Sequence, residues 1–194
     1  MRHGKSHKQS TIKKENEKMK KINKTLLKKN PYAKQLTLYV VDKTPLEVFE
    51  STPSAIAKAI RGLNNKQLQK SLKKGKWSIA QILAHLTDGE IVLSYRFRKV
   101  ISEPGSKIEF YDQNKWSKNL HYEKADCKKK LALFTAIRKE NVELLNSLSS
   151  KEWKRYGIHS ERGKETIEKM VLLYAGHDMN HLKQIESIRR MFQQ

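Results

Sequence analysis

From Thr166 to Met191, apolar residues recur at three- and four-residue intervals, and two positions of that stripe are histidines. The stripe runs Ile167, Met170, Val171, Tyr174, His177, His181, Ile185, Ile188 and Phe192, which is one face of a long amphipathic helix. A helix of this kind must bury its apolar face against other elements, so the chain needs partner helices or a sheet.

Three more helices are readable upstream. Thr44-Pro45-Leu46-Glu47 reads as a helix start with proline at the first position and a capping-box glutamate, giving a first helix over 45–63. Within it, Thr52-Pro53 is either a second start or a break. Ser78 and Gln81 form a second capping box, with Trp77 and Ile82 as its hydrophobic staple, and launch a helix to about Ile101. Glu103-Pro104-Gly105-Ser106 stops it, and Ile108 to Glu123, with four aromatics and little periodicity, reads as an ordered crossover. The third helix starts at Ala125 or Asp126 and buries Leu131, Phe134, Ile137, Leu144, Leu145 and Leu148. Ser149 and Glu152 cap a short turn before a loop with Gly157, His159 and Gly163, and the fourth helix is the one over Thr166–Met191. Apart from a strand candidate at Leu38 to Val41, the pattern is all-α: a four-helix bundle with a long crossover between helices two and three.

Charge divides the chain. Its 194 residues carry a net charge of +21, of which residues 1–35, with 12 Lys or Arg against two Glu, hold +10. Residues 1–35 therefore read as a Lys-rich, flexible basic arm, and residues 36–194 as the bundle domain. Such an arm gives solubility or weak, non-specific polyanion contact through phosphates. No helix-turn-helix, finger or aromatic platform accompanies the charge to support specific DNA recognition. No apolar run approaches the ~18 residues of a membrane span, and the N-terminus lacks the apolar stretch of a secretory signal, so the expected location is cytoplasmic. The one cysteine, Cys127, excludes an internal disulfide. Its lysine neighbours would lower a thiol pKa, though an incidental exposed thiol is the plainer reading.

His177 and His181 are four apart and so lie on nearly the same side of their helix. On the second helix, His85 shares the stripe Ile82, His85, Gly89 and Val92. Two inward stripes carrying three imidazoles suit one divalent ion with an open position for water or substrate. Zinc and nickel both accept such a donor set.

These positions belong to a wider pattern. Trp77-Ser78, Ala84-His85-Leu86 with Asp88, Tyr111-Asp112 with Trp116, Gly157 and His159 before Gly163, and His177-Asp178 with His181-Leu182 and Gln184-Ile185 resemble the DinB-like bundle proteins of the YfiT type over about residues 40–192. The resemblance implies a four-helix bundle whose metal is held by His85, His177 and His181. It implies a metal-dependent hydrolase, or a transferase joining a low-molecular-weight thiol of the bacillithiol type to an electrophile, and it implies a homodimer. In either chemistry the ion would bring water or a thiol co-substrate to its reactive form near neutral pH. Asp112 and His159, in loops that match the family pattern, are the candidates for orienting water or a ligand tautomer. Asp178 follows a ligand directly but points about 100° away from it, so it suits support of the site or a contact to another element. Arg96 could pair with an acidic substrate or snorkel to the bundle end, and Tyr111 and Trp116 could line the mouth. His3, His7 and His121 fall outside the stripes. The alternatives to an enzyme are a non-catalytic metal- or ligand-binding stress protein and a polyanion binder acting through its arm.

Overall fold

The structure is a computed structural model, and it describes residues 31–193. His3, His7 and the arm as far as residue 30 lie outside the described residues. The boundary expected between residues 35 and 36 falls inside a helix, α1 (Pro31–Leu38), which buries Ala33, Leu36 and Thr37.

The first bundle helix, α2 (Pro45–Ile60), has Pro45 in its first turn, but Thr44 makes no side-chain cap, so the capping box expected there does not form. Pro53 neither starts nor breaks a helix; it lies inside α2. Its ring has no N–H to return to the Phe49 carbonyl one turn earlier. The Arg138 guanidinium donates to that carbonyl instead, at 2.5 Å. The helix ends short of residue 63, and a five-residue helix, α3 (Asn65–Gln69), follows under its own Asn64/Gln67 capping box.

The Ser78/Gln81 capping box is present and opens α4 (Ile79–Ser102). The crossover is ordered, as expected. It holds a short strand β1 (Lys107–Ile108), α5 (Gln113–Asn119), and a 3-10 turn at Tyr122–Lys124. Asp126 caps α6 (Cys127–Asn146) by accepting from the Lys128 and Lys129 amides. Ser149 and Glu152 pair around a further 3-10 turn. Strands β2 (Tyr156–His159) and β3 (Gly163–Thr166) then lead into α7 (Ile167–Arg190), capped by Thr166.

Four helices form the bundle. α2 packs on α7 and α4 on α6, while α2 on α6 and α4 on α7 close the square, which leaves α2 diagonal to α4 and α6 diagonal to α7. Two apolar clusters give the helix directions. One holds Phe49, Phe97, Val142 and Ile167, the other Ile56, Ile79, Phe134 and Ile185. α2 and α7 run from the first cluster to the second, and α4 and α6 run the opposite way. Successive helices α4 and α6 are thus parallel neighbours, and a chain linking parallel neighbours must travel the bundle length. That geometry accounts for the long crossover.

Two strand expectations change. Leu38 to Val41 is not a strand: α1 ends at Leu38, and the Tyr39 and Val40 amides turn back to the Leu36 and Thr37 carbonyls. A small sheet lies elsewhere, in order β1-β2-β3, with β1 parallel and β3 antiparallel to β2. It ties the crossover to the connection before α7. The three residues between His159 and its partner Gly163 make a tight turn, and Gly163 takes a φ of +67° that favours glycine.

α1 packs on α7, and Gly176 permits the approach. A Cβ built at Gly176 would overlap the backbone carbonyl of Leu36, which a side-chain rotation cannot relieve. Gly176→Ala is therefore expected to push α1 off α7. Hydrogen exchange at residues 31–38 should speed up at least about tenfold, while the amides of α4 and α6 stay as protected as in the parent.

Candidate metal centre and its cavity

Between the two apolar clusters the bundle carries a polar layer. His85 from α4 and His177 and His181 from α7 meet there, with His85 and His181 buried and His177 partly so. His85 Nε2 lies 2.9 Å from His177 Nε2, which lies 3.2 Å from His181 Nε2. With metal–nitrogen bonds of ~2.0–2.1 Å, ligand nitrogens sit ~2.9 Å apart at right angles and ~3.4 Å apart in a tetrahedron, so the spacing suits one shared ion.

Protonation favours the same reading. Burial lowers His85 well below the ordinary histidine range, and the neighbouring His177 and His181 rings lower it further. Burial likewise brings His181 down to about 3. The neutral rings of His85 and His181 offer lone pairs to a cation at the point where the three imidazoles converge. The Gln184 side chain, one turn beyond His181, sits 3.1 Å from His181 Nδ1. Its carbonyl fixes the proton on Nδ1 and leaves Nε2 free as the donor. Trp77 does more than staple a helix end: its indole stacks on His181, with ring planes 13° apart, and leans on His85 at 4.9 Å. Among the described residues, the Nδ1 atoms of His85 and His177 have no hydrogen-bond partner.

Asp178 is buried and points away from the triad into an ion-paired cluster. Arg138 of α6 donates to Asp178 at 2.7 Å and to Glu90 of α4 at 2.7 Å, and Asn141 donates to the other Glu90 oxygen at 2.7 Å. The guanidinium also lies 3.5 Å from the centre of the Phe49 ring. Burial pushes the Asp178 carboxyl up, yet Arg138 and His177 together outweigh this and hold it below the usual carboxylate range. Its second oxygen is 3.9 Å from His177 Nδ1, so one residue links a candidate ligand to the centre of the bundle.

A cavity of about 480 Å³ opens beside the triad, lined by His85 and His177, by Tyr32 and Leu36 of α1, and by the crossover and hairpin. Arg96, Tyr111, Asp112, His159 and Tyr174 also face it. Asp112 caps α5, its Oδ1 accepting from the Asn114 and Lys115 amides. Arg96 does not snorkel outward: it is buried, donates to Tyr174 at 3.1 Å and to the Glu109 carbonyl, and lies over the Tyr111 ring. Tyr111 packs on Trp116 at 4.5 Å, and Trp116 itself stands behind the wall. His121 is exposed, as expected.

Cys127 corrects an expectation. It is buried, and burial pushes its thiol up to about 11. Lys128, Lys129 and Lys130 turn away along the helix, while Cys127 joins Phe134, two turns on, in the apolar cluster.

His159 is 1% exposed, and its Nδ1 accepts from the Glu161 and Arg162 amides of the hairpin turn. Burial, with Arg162 adding to it, lowers its pKa to about 4. A histidine depressed in the fold contributes stability above its unfolded pKa near 6.5, and that contribution is lost as pH falls toward 4. His159→Asn keeps an acceptor for the turn and removes the titration. Chemical denaturation should show the parent losing on the order of 3 kcal/mol more than this variant between pH 7 and pH 4.

A family model of the DinB superfamily matches residues 49–185, which include all three histidines and most of the chain. The chain belongs to the DinB superfamily. Among its relatives, a Bacillus cereus protein named "Putative metal-dependent hydrolase" is 28% identical over 159 residues, covering 82% of this chain and 91% of its own. A protein of Oceanobacillus iheyensis with the same description is 29% identical over 154 residues, covering 79% and 88%. Among solved structures, YfiT from Bacillus subtilis, described as "a probable metal-dependent hydrolase with an unusual four-helix bundle topology", superposes with a TM-score of 0.72 at 26% identity. The match covers 77% of this chain and 86% of YfiT. Among the described residues, no helix is long and apolar enough to cross a membrane.

Proposed function

We propose that this protein is a divalent-metal-dependent hydrolase acting on a small molecule bound in the cavity beside His85, His177 and His181. The convergence of three imidazoles, two of which, His85 and His177, line that cavity, carries the reading. The names of its relatives agree with it. Zinc or nickel held there would supply Lewis acidity and bring a coordinated water toward deprotonation near neutral pH.

Among the described residues, the cavity wall contains no cysteine, serine, threonine or lysine, so it offers no thiol, aliphatic hydroxyl or amine nucleophile. Asp112 and Glu161 are its carboxylates, and Asp112 is the one anchored by backbone amides; we assign it the role of proton acceptor. His159 cannot accept a proton readily, because its Nδ1 is occupied by the turn, and it serves as an Nε2–H donor. Burial raises the pKa of Tyr111 and of Tyr174, so both hydroxyls stay protonated and can orient a polar substrate.

Hydrolysis of p-nitrophenyl acetate by zinc- and nickel-loaded protein tests this reading, alongside His181→Ala and Asp112→Asn. Turnover should require the metal, vanish in His181→Ala, and fall at least about a hundredfold in Asp112→Asn with metal content unchanged. If turnover is absent and a thiol such as bacillithiol perturbs the spectrum of the cobalt-loaded protein, the open position serves thiol transfer instead. A protein that holds metal and does neither is a binding module.

A further inference from the structure

Three buried or half-buried arginines line the polar interior, and they differ in one respect. Arg138 has two carboxylate partners, and Arg162 is held by both oxygens of Glu165, at 2.7 and 3.0 Å. Arg96 is 5% exposed and has no carboxylate within ion-pair distance among the described residues. Its bonds to the Tyr174 hydroxyl and the Glu109 carbonyl engage two of its five N–H donors. A buried guanidinium without a counter-ion is costly, and it lines the cavity that reaches the triad.

A second donor without a partner lines the same cavity. Because His159 Nδ1 accepts from two backbone amides, the ring proton sits on Nε2, on the opposite edge. That Nε2 is buried and has no hydrogen-bond partner among the described residues. A hydrogen-bond donor left open in a packed wall points to a ligand that completes it.

We propose that the substrate carries a carboxylate, clamped by the Arg96 guanidinium and the His159 Nε2–H while its reacting group lies at the triad. The proposal rests on the metal-site reading for the position of the reacting group only. One uncompensated positive charge matches one carboxylate. A phosphate dianion would set two negative charges against the single Arg96 guanidinium, with Asp112 and Glu161 also lining the cavity. The planar guanidinium suits a carboxylate's two oxygens, and its central carbon lies 5.9 Å from the centre of the Tyr111 ring.

The test uses the full chain and two probe pairs. On cobalt-loaded protein, 3-mercaptopropionate is titrated against 3-mercaptopropionamide, with the cobalt–thiolate absorption as readout. On metal-free protein, acetate is titrated against acetamide, with the NMR resonance of the Arg96 Nε–H as readout. The carboxylate member of each pair should bind at least about tenfold tighter. Arg96→Gln should abolish that preference and His159→Asn should reduce it, with cobalt content unchanged in both. Equal affinities within each pair, or a preference that survives Arg96→Gln, would overturn the proposal. If cobalt does not bind, the metal reading has failed while the acetate titration still decides the clamp. Should Arg96→Gln not fold, the comparison of acetate with acetamide on the parent decides it alone.

Discussion

Arg138→Met should cost ~3–5 kcal/mol of folding stability, a large part of what a single domain possesses. The substitution keeps an unbranched side chain of similar reach and removes only the guanidinium. Glu90 and Asp178, which the guanidinium holds at 2.7 Å each, are then left buried without a cation between them. The Phe49 carbonyl also loses its donor, and α2 cannot replace it, because Pro53 occupies the position whose N–H would close that turn. Urea denaturation at neutral pH reads the loss. Adding Glu90→Gln and Asp178→Asn should recover part of it, since two amides repel less than two carboxylates. A loss below about 1 kcal/mol would mean that water reaches the cluster and shields it.

Metal removal should have an effect of similar size. A ligand that binds only the folded chain stabilises it by RT ln(1 + [L]/Kd), about 4 kcal/mol at a thousandfold excess over Kd. For a chain of this length that corresponds to a Tm shift on the order of 10 °C. Zinc should raise the Tm as its concentration rises, and a chelator should return it to the metal-free value. His85→Ala should abolish the dependence, because two histidines from α7 alone no longer connect that helix to α4. A Tm indifferent to zinc and nickel would mean that the imidazoles merely fill the polar layer.

The triad was legible in the sequence because its members occupy positions that helical spacing assigns to the core, where any polar side chain needs a reason. The same logic would have found Arg138. Cys127, Leu131, Phe134, Arg138, Asn141 and Leu145 form one continuous buried or half-buried stripe on α6. Reading Arg138 and Asn141 as gaps in that stripe hid the polar layer, and Glu90 with it. The sheet was not legible, since β1 has two residues and β2 and β3 four each, too few for alternation to register. Its pairing is set by where α4 and α6 end. Arg96 and His159 were legible as residue types with uncertain roles. The roles we propose for them rest on the lack of a carboxylate partner among the described residues in one case and the occupation of Nδ1 by a turn in the other, and both are tertiary facts. The helix directions, read from the two apolar clusters, likewise show why the crossover is long, which composition and periodicity could not.

Metal content per chain, measured by elemental mass spectrometry on protein purified without an affinity tag and on His181→Ala in parallel, tests the triad most directly. About one divalent ion in the parent and little in the variant is the outcome the converging nitrogens require. No metal in the parent after reconstitution with zinc or nickel, or equal metal in both proteins, would contradict a metal centre at His85, His177 and His181.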